Sequence, residues 1–193
     1  MIDPNLLYTG LSQAAWGYFF VSIDFNLNGV SVLPRFVGWL LLLSASGKLS
    51  AVRRELSLLR PLCALLAAWC FGDWLLSWGG GDIDGRFPFL DLVVTVAALY
   101  FHFQFLTDMA ALAEGYQLDD GNLPAHIRCH RTAYTLLITL ISLLESAFRI
   151  FPWRWWSGVI VFAAVVTCIV ALLIMADLFH LRRLVPKLEN GSQ

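Results

Sequence analysis

A succession of apolar runs, separated by short polar breaks, constrains this chain more than any other feature. A membrane-spanning helix needs about 20 mostly apolar residues. Of the 193 residues, 59% are hydrophobic and 14% are charged, whereas a soluble domain has about 45–50% apolar and about 25% charged residues. We therefore predict an all-α polytopic membrane helix bundle, a single transmembrane domain over residues 1–193 with about six transmembrane helices. The predicted helices cover residues 5–25, 34–50, 59–78, 87–113, 132–151 and 155–180.

The basic residues predict how the bundle is oriented. If both termini are cytoplasmic, nine Lys and Arg residues fall in inner segments and four in outer segments, which follows the positive-inside rule. Most tryptophans, including Trp39 and Trp74, then fall near the outer boundary, as an interfacial belt would. We predict a multi-pass protein of the cell membrane. In a five-helix alternative, the short second helix lies in the interface instead of spanning.

Charged groups inside apolar runs point to a candidate site, because each costs about 2.5–3.5 kcal/mol at the centre of a spanning helix. Helical rise places most of these groups in one layer near the outer face. His102 lies deeper, on the face of its helix that also carries Asp91. We predict that the substrate-binding residues are Asp24, Asp73, Asp91, His102, Glu145 and Arg149. The predicted gate or lip consists of Asn26, Asn28 and Arg35.

This layer favours solute binding or transport, with a small polar or cationic solute, because its acids outnumber its bases. Two alternatives remain open. Ser and Thr stripes also hold membrane helices together, as expected for a non-catalytic accessory or scaffold subunit with a partner membrane subunit or a homo-oligomer. A membrane-embedded enzyme would use the Asp, Glu and His side chains. No GxSxG, HExxH or Walker motif is present, which favours a non-enzyme.

The cysteines and the remaining histidines predict neither a metal nor a cofactor. The four cysteines form no CxxC pair, and a disulfide framework is not expected. His126 and His130 have the spacing of two ligands on one helical face, but two ligands do not close a structural metal site. A solvated basic segment before the fifth helix is the favoured interpretation. A net charge of −1 gives no basic footprint for nucleic acid.

The inner end of the sixth helix carries a further polar group, in the segment MADLFHLRRLVPK. We expect Asp177 to pair locally with His180 or Arg182. The other basic residues of this segment are expected to meet anionic lipid head groups.

The stretch from residue 23 to residue 43 resembles a known family. Its acid–x–Asn run, its glycine and its LP–x–FVG sequence are similar to the first loop of small multi-pass membrane proteins common in Gram-positive bacteria. The matching residues are Asp24, Asn26, Gly29, Leu33, Pro34, Phe36, Val37 and Gly38. That family often has an acid where this chain has Arg35. Because such proteins have no assigned activity, the resemblance implies topology rather than function. Chain size and helix number are also similar to the substrate-binding membrane subunits of energy-coupling-factor vitamin transporters, an analogy of architecture.

Overall fold

The described part of the chain forms six α-helices joined by short connections, in a computed structural model. The structure describes residues 4–23, 26–27, 30–31, 34–78, 88–115, 121–150 and 156–189. The helices are α1 (Pro4–Ser22), α2 (Arg35–Leu49), α3 (Arg60–Trp78), α4 (Pro88–Gly115), α5 (Leu123–Ile150) and α6 (Trp156–Glu189). A 3₁₀ turn (Arg54–Leu59) precedes α3. Two short antiparallel strands, β1 (Asn26–Leu27) and β2 (Val30–Ser31), lie between α1 and α2.

The predicted all-α class is confirmed, and the predicted bounds of the second, third and fourth helices lie close to those of α2, α3 and α4. The last two helices extend beyond their predicted inner ends. α5 begins at Leu123 rather than Thr132, and α6 continues past His180 to Glu189. An apolar run predicts only the part of a helix that lies in lipid, and a helix can continue into polar residues beyond it. Pro124 fits the first turn of α5. The segment containing His126 and His130 is therefore part of α5, not a segment before it.

The six helices form a closed ring. Each helix packs against its neighbours in sequence, and α6 closes the ring by packing on α1. Short connections between consecutive helices make neighbours antiparallel. As a result, the start of α5, the end of α6 and the start of α1 lie at the same side, which we call the inner side.

α1 and α2 approach each other more closely than they could if Gly17 and Gly38 carried side chains. A Cβ atom at Gly38 would lie 2.7 Å from the backbone nitrogen of Val21, and one at Gly17 would lie 3.1 Å from the carbonyl oxygen of Gly38. Small residues at such crossings permit close packing of membrane helices. The Ser44 hydroxyl also donates a hydrogen bond to Oε1 of Gln13, 3.0 Å away. The two helices therefore form one tightly joined pair.

Burial differs between the two halves of the ring. Leu11, Leu49, Met109 and Leu178, all in the inner half, are fully buried. The outer halves of α3 to α6 instead expose large apolar side chains. Examples are Leu75, Leu92, Val96, Leu136, Leu143, Val161 and Phe162. Trp39 corrects one expectation, since it is only 3% exposed and belongs to the core rather than to an interfacial belt.

Within the ranges that the structure describes, three helices are long and apolar enough to cross a membrane. These candidate spans are Arg54–Trp78, Phe89–Gly115 and Ser157–Val185. They support the expected membrane association of the chain, while the count of six spans stays a prediction.

Candidate functional site

An aromatic layer fills the centre of the ring around His102. The His102 ring lies 5.3 Å from that of Tyr18, 5.3 Å from Trp39, 5.6 Å from Phe101 and 5.1 Å from Tyr134, measured between ring centres. Its Nδ1 lies 3.3 Å from the Tyr18 hydroxyl, and the residue is only 2% exposed. His102 is therefore enclosed by rings from four helices and has a hydrogen-bond partner within the core.

The end of α1 meets the middle of α5 and α6. The hydroxyl groups of Ser22 and Tyr134 lie 2.9 Å apart, and the Cys168 thiol donates to the backbone oxygen of Ser22 at 3.6 Å. Beyond these contacts, α5 rises a further ~24 Å to Ile150 and α6 a further ~18 Å to its outer end, at about 1.5 Å per residue. α1 therefore stops well short of the outer ends of α5 and α6.

α2 begins at a similar height. Arg35, its first residue, is within electrostatic range of the Tyr134 phenol, and Trp39 packs against His102 one turn further on. The β1–β2 hairpin connects α1 to α2, and β2 contacts α3. Outward of this height, the described helices are the outer halves of α3, α4, α5 and α6.

Three acids lie at one common height in these outer halves. His102 and Tyr134 contact Tyr18 in the core, and Cys63 is within electrostatic range of it. Each of the three has an acid further out on its own helix. By helical rise, Asp73 lies ~15 Å beyond Cys63, Asp91 ~16 Å beyond His102 and Glu145 ~16 Å beyond Tyr134. We refer to Asp73, Asp91 and Glu145 as the acid layer.

The acid layer belongs to the core-facing sides of its helices. Glu145 follows Tyr134 by eleven positions, about three helical turns, so the two share a face. Tyr134 is buried and Glu145 is exposed. Asp91 shares a face of α4 with His102 in the same way and is half-buried, as is Asp73 on α3. The core-facing sides therefore become accessible only in the outer half of the ring.

The structure brings some of the predicted site residues together and separates others. Asp73, Asp91 and Glu145 share the acid layer, whereas His102 lies inward of it in the aromatic core. Arg35, Asp73 and Asp91 all have interaction partners within the protein. Four further predictions cannot be placed. Asp24 and Asn28 lie outside the described residues. Asn26 and Arg149 belong to a described strand and helix, but their side chains are not described.

Four hydroxyl groups along α5 form hydrogen bonds within their own helix. Thr132, Thr135, Thr139 and Ser146 each donate a hydrogen bond to a backbone carbonyl four residues earlier on α5. Such bonds satisfy the hydroxyl groups locally. Thr139 and Ser146 are exposed, on the side of α5 away from Tyr134.

Sequence reasoning missed the polar contacts at the inner ends of the helices. Asp177 contacts a residue on another helix, because its Oδ2 lies 2.6 Å from Nδ1 of His130 on α5. Arg182 donates instead to the Ser12 hydroxyl on α1, 3.1 Å away, and its guanidinium lies 4.5 Å from the centre of the Tyr8 ring. The signal was available, because His130 and Asp177 lie at similar distances in sequence from the break at residue 152. Antiparallel neighbours bring such positions to the same height.

No group of three His, Cys, Asp or Glu side chains that could hold a metal ion occurs among the described residues. The four cysteines are free thiols. Comparisons with protein families, curated proteins and solved structures found no match to this chain.

Proposed function

We propose that this protein is an integral membrane protein that binds a small polar or cationic solute from the outer side of the membrane, as part of its transport. The acid layer carries this proposal: three carboxylates at one height, on the core-facing sides of three helices, directly outward of a buried aromatic layer. Ionisable groups at membrane depth are expensive and commonly mark a solute path. The predicted site and lip residues contain four acids and two arginines, an excess that favours a positively charged solute.

The arrangement in the membrane follows from the exposed apolar side chains. On α4 they run from Phe89 to Phe103 and on α6 from Val159 to Leu173, a rise of ~21 Å each, which fits within a hydrocarbon core about 30 Å thick. In this frame α3, α4, α5 and α6 span the membrane. α1 and α2 enter from the inner side and end at mid-depth. Both termini are cytoplasmic, in agreement with the basic residues of the inner segments.

This placement differs from the predicted six spans because of one contact. Ser22 ends α1 beside Tyr134, so α1 cannot reach the outer surface without breaking away from α5. The β1–β2 hairpin then lies in the outer half of the ring, near the acid layer. Non-helical backbone at membrane depth is tolerated where protein surrounds it or where it lines an aqueous cavity.

An accessory subunit is the second candidate, supported by the outward side of α5. Thr132, Leu136, Thr139, Leu143 and Ser146 are all exposed there, with alternating spacings of four and three residues. This is the repeat of helices that pack side by side, so a partner membrane helix would fit this surface.

The proposal can be tested without knowing the solute. In a chain whose four cysteines are replaced by serine, Glu145→Cys is treated in proteoliposomes with membrane-impermeant thiosulfonate reagents of either charge, added outside. We expect modification, and several-fold faster reaction with the cationic reagent than with the anionic one, because carboxylates raise the local concentration of cations. Adding Asp91→Asn should reduce this preference.

The matched control is Glu114→Cys, an exposed acid at the inner end of α4, which should react only after the membrane is permeabilised. Failure of Glu145→Cys to react from outside would contradict the proposed placement. Equal rates for both reagents, unchanged by Asp91→Asn, would contradict a cation-selective site and favour the accessory subunit.

A further inference from the structure

Two histidines lie side by side on α5 near its inner end. His126 and His130 are one helical turn apart, and their ring centres lie 6.4 Å from each other. His126 is exposed and His130 is half-buried. The segment is helical from Leu123 onward, so the two rings are held on one face rather than placed by a loose chain.

An acid on the neighbouring helix fixes the second of these rings. Oδ2 of Asp177 on α6 accepts a hydrogen bond from Nδ1 of His130 at 2.6 Å. With its proton on Nδ1, a neutral His130 has its lone pair on Nε2, ready to bind a ligand. Histidines that ligate metal ions commonly donate their other N–H group to a carboxylate in this way.

We propose that His126 and His130 bind a divalent transition-metal ion, with Asp177 orienting His130. Imidazole suits Zn²⁺, Cu²⁺ and Ni²⁺. Two imidazoles that share one ion, with Zn–N bonds of about 2.0–2.1 Å, have ring centres about 5–6 Å apart. The observed separation is slightly longer. A small rotation of the exposed His126 ring brings the two nitrogens to one ion.

Two protein ligands leave the other coordination positions to water. The described residues contain no third ligand in place, so the site is open and the ion exchanges, unlike the ion of a closed structural site. Both ligands lie on α5, and His130 is hydrogen-bonded to Asp177 on α6. Metal binding at the inner surface is therefore linked to the α5–α6 contact.

Copper provides the most direct test, on the full-length protein in detergent without a polyhistidine tag. Electron paramagnetic resonance of the Cu²⁺-loaded protein should show nitrogen couplings from two imidazoles. His126→Ala and His130→Ala should each reduce these to one and lower affinity at least tenfold. Asp177→Asn should retain both couplings and lower affinity 10- to 100-fold. Zn²⁺ should displace the copper.

Cys129→Ser is the matched control, since Cys129 is an exposed potential ligand on the same turn and its loss should not change affinity. The proposal is wrong if His126→Ala retains both couplings and full affinity, or if only Cys129→Ser abolishes binding. His126→Ala also guards against a folding artefact, because this exposed ring has no hydrogen-bond partner among the described residues to lose.

Discussion

The hydroxyl of Ser22, the last residue of α1, lies 2.9 Å from the hydroxyl of Tyr134, in the middle of α5. This contact sets the height at which α1 ends. The contact also lies at the height of the buried aromatic layer around His102, inward of the acid layer. Tyr134 is buried and Ser22 is half-buried, and removal of either hydroxyl group leaves the other without this partner.

Ser22→Ala and Tyr134→Phe should each lower the free energy of unfolding by ~0.5–1.5 kcal/mol, as expected for one hydrogen bond. The double variant should cost less than the sum, because the second change removes a group that is already unpaired. Unfolding in mixed detergent micelles measures all three. Tyr100→Phe, at an exposed position of α4, should be nearly neutral, and strictly additive effects at Ser22 and Tyr134 would contradict the bond.

Gly38→Ala should destabilise the protein by ~1–3 kcal/mol, the usual range for overpacking. The new Cβ would lie 2.7 Å from the backbone nitrogen of Val21, and backbone cannot move aside as a flexible side chain can. Gly158→Ala is the control, since nothing lies within 4 Å of its added Cβ. Equal melting temperatures for the two variants would show that α1 and α2 are less closely packed than described.

His102→Phe should lower stability by ~1–3 kcal/mol, because the buried Tyr18 hydroxyl loses its partner. The rate at which Glu145→Cys reacts with cationic reagents should not change, since His102 lies inward of the acid layer. Asp91→Asn should have the opposite profile, with altered reactivity and little loss of stability. If His102→Phe changed the rate at which Glu145→Cys reacts, His102 would belong to the solute site, as the sequence predicts.

Arg182→Lys should lower stability by ~0.5–2 kcal/mol. Arg182 binds the Ser12 hydroxyl while its guanidinium stacks near the rings of Tyr8 and Phe179, and an ammonium group cannot keep both contacts. Arg183→Lys changes the adjacent exposed side chain and should stay within about 0.5 kcal/mol of the original protein. The decisive measurement is the difference between the unfolding free energies of the Arg182→Lys and Arg183→Lys variants. Equal values would contradict the described contacts of Arg182.

Helix positions were largely predictable from the sequence, whereas their relative heights were not. Glycine and proline breaks located the ends of α2, α3 and α4, because these residues disrupt helices locally. The contact of Ser22 with Tyr134 depends on how far two distant segments slide past each other. Apolar run length predicts that a helix fits a bilayer, not the depth at which it ends.

The candidate site was predictable to the same degree. Counting residues along α3, α4 and α5 predicts similar heights for Asp73, Asp91 and Glu145. Sequence spacing also put His102 on the face of α4 that carries Asp91. The aromatic rings that enclose His102 come from α1, α2 and α5, and no local pattern on α4 could predict them. Similarly, the His130 partner of Asp177 lies on another helix.

The closure of the ring between α1 and α6 has a consequence for how the protein is made. Translation produces α1 first and α6 last, yet the two pack directly against each other. α1 therefore cannot complete its packing until α6 has been made. Until then one side of α1 is uncovered, and a chain truncated after α5 would leave it so.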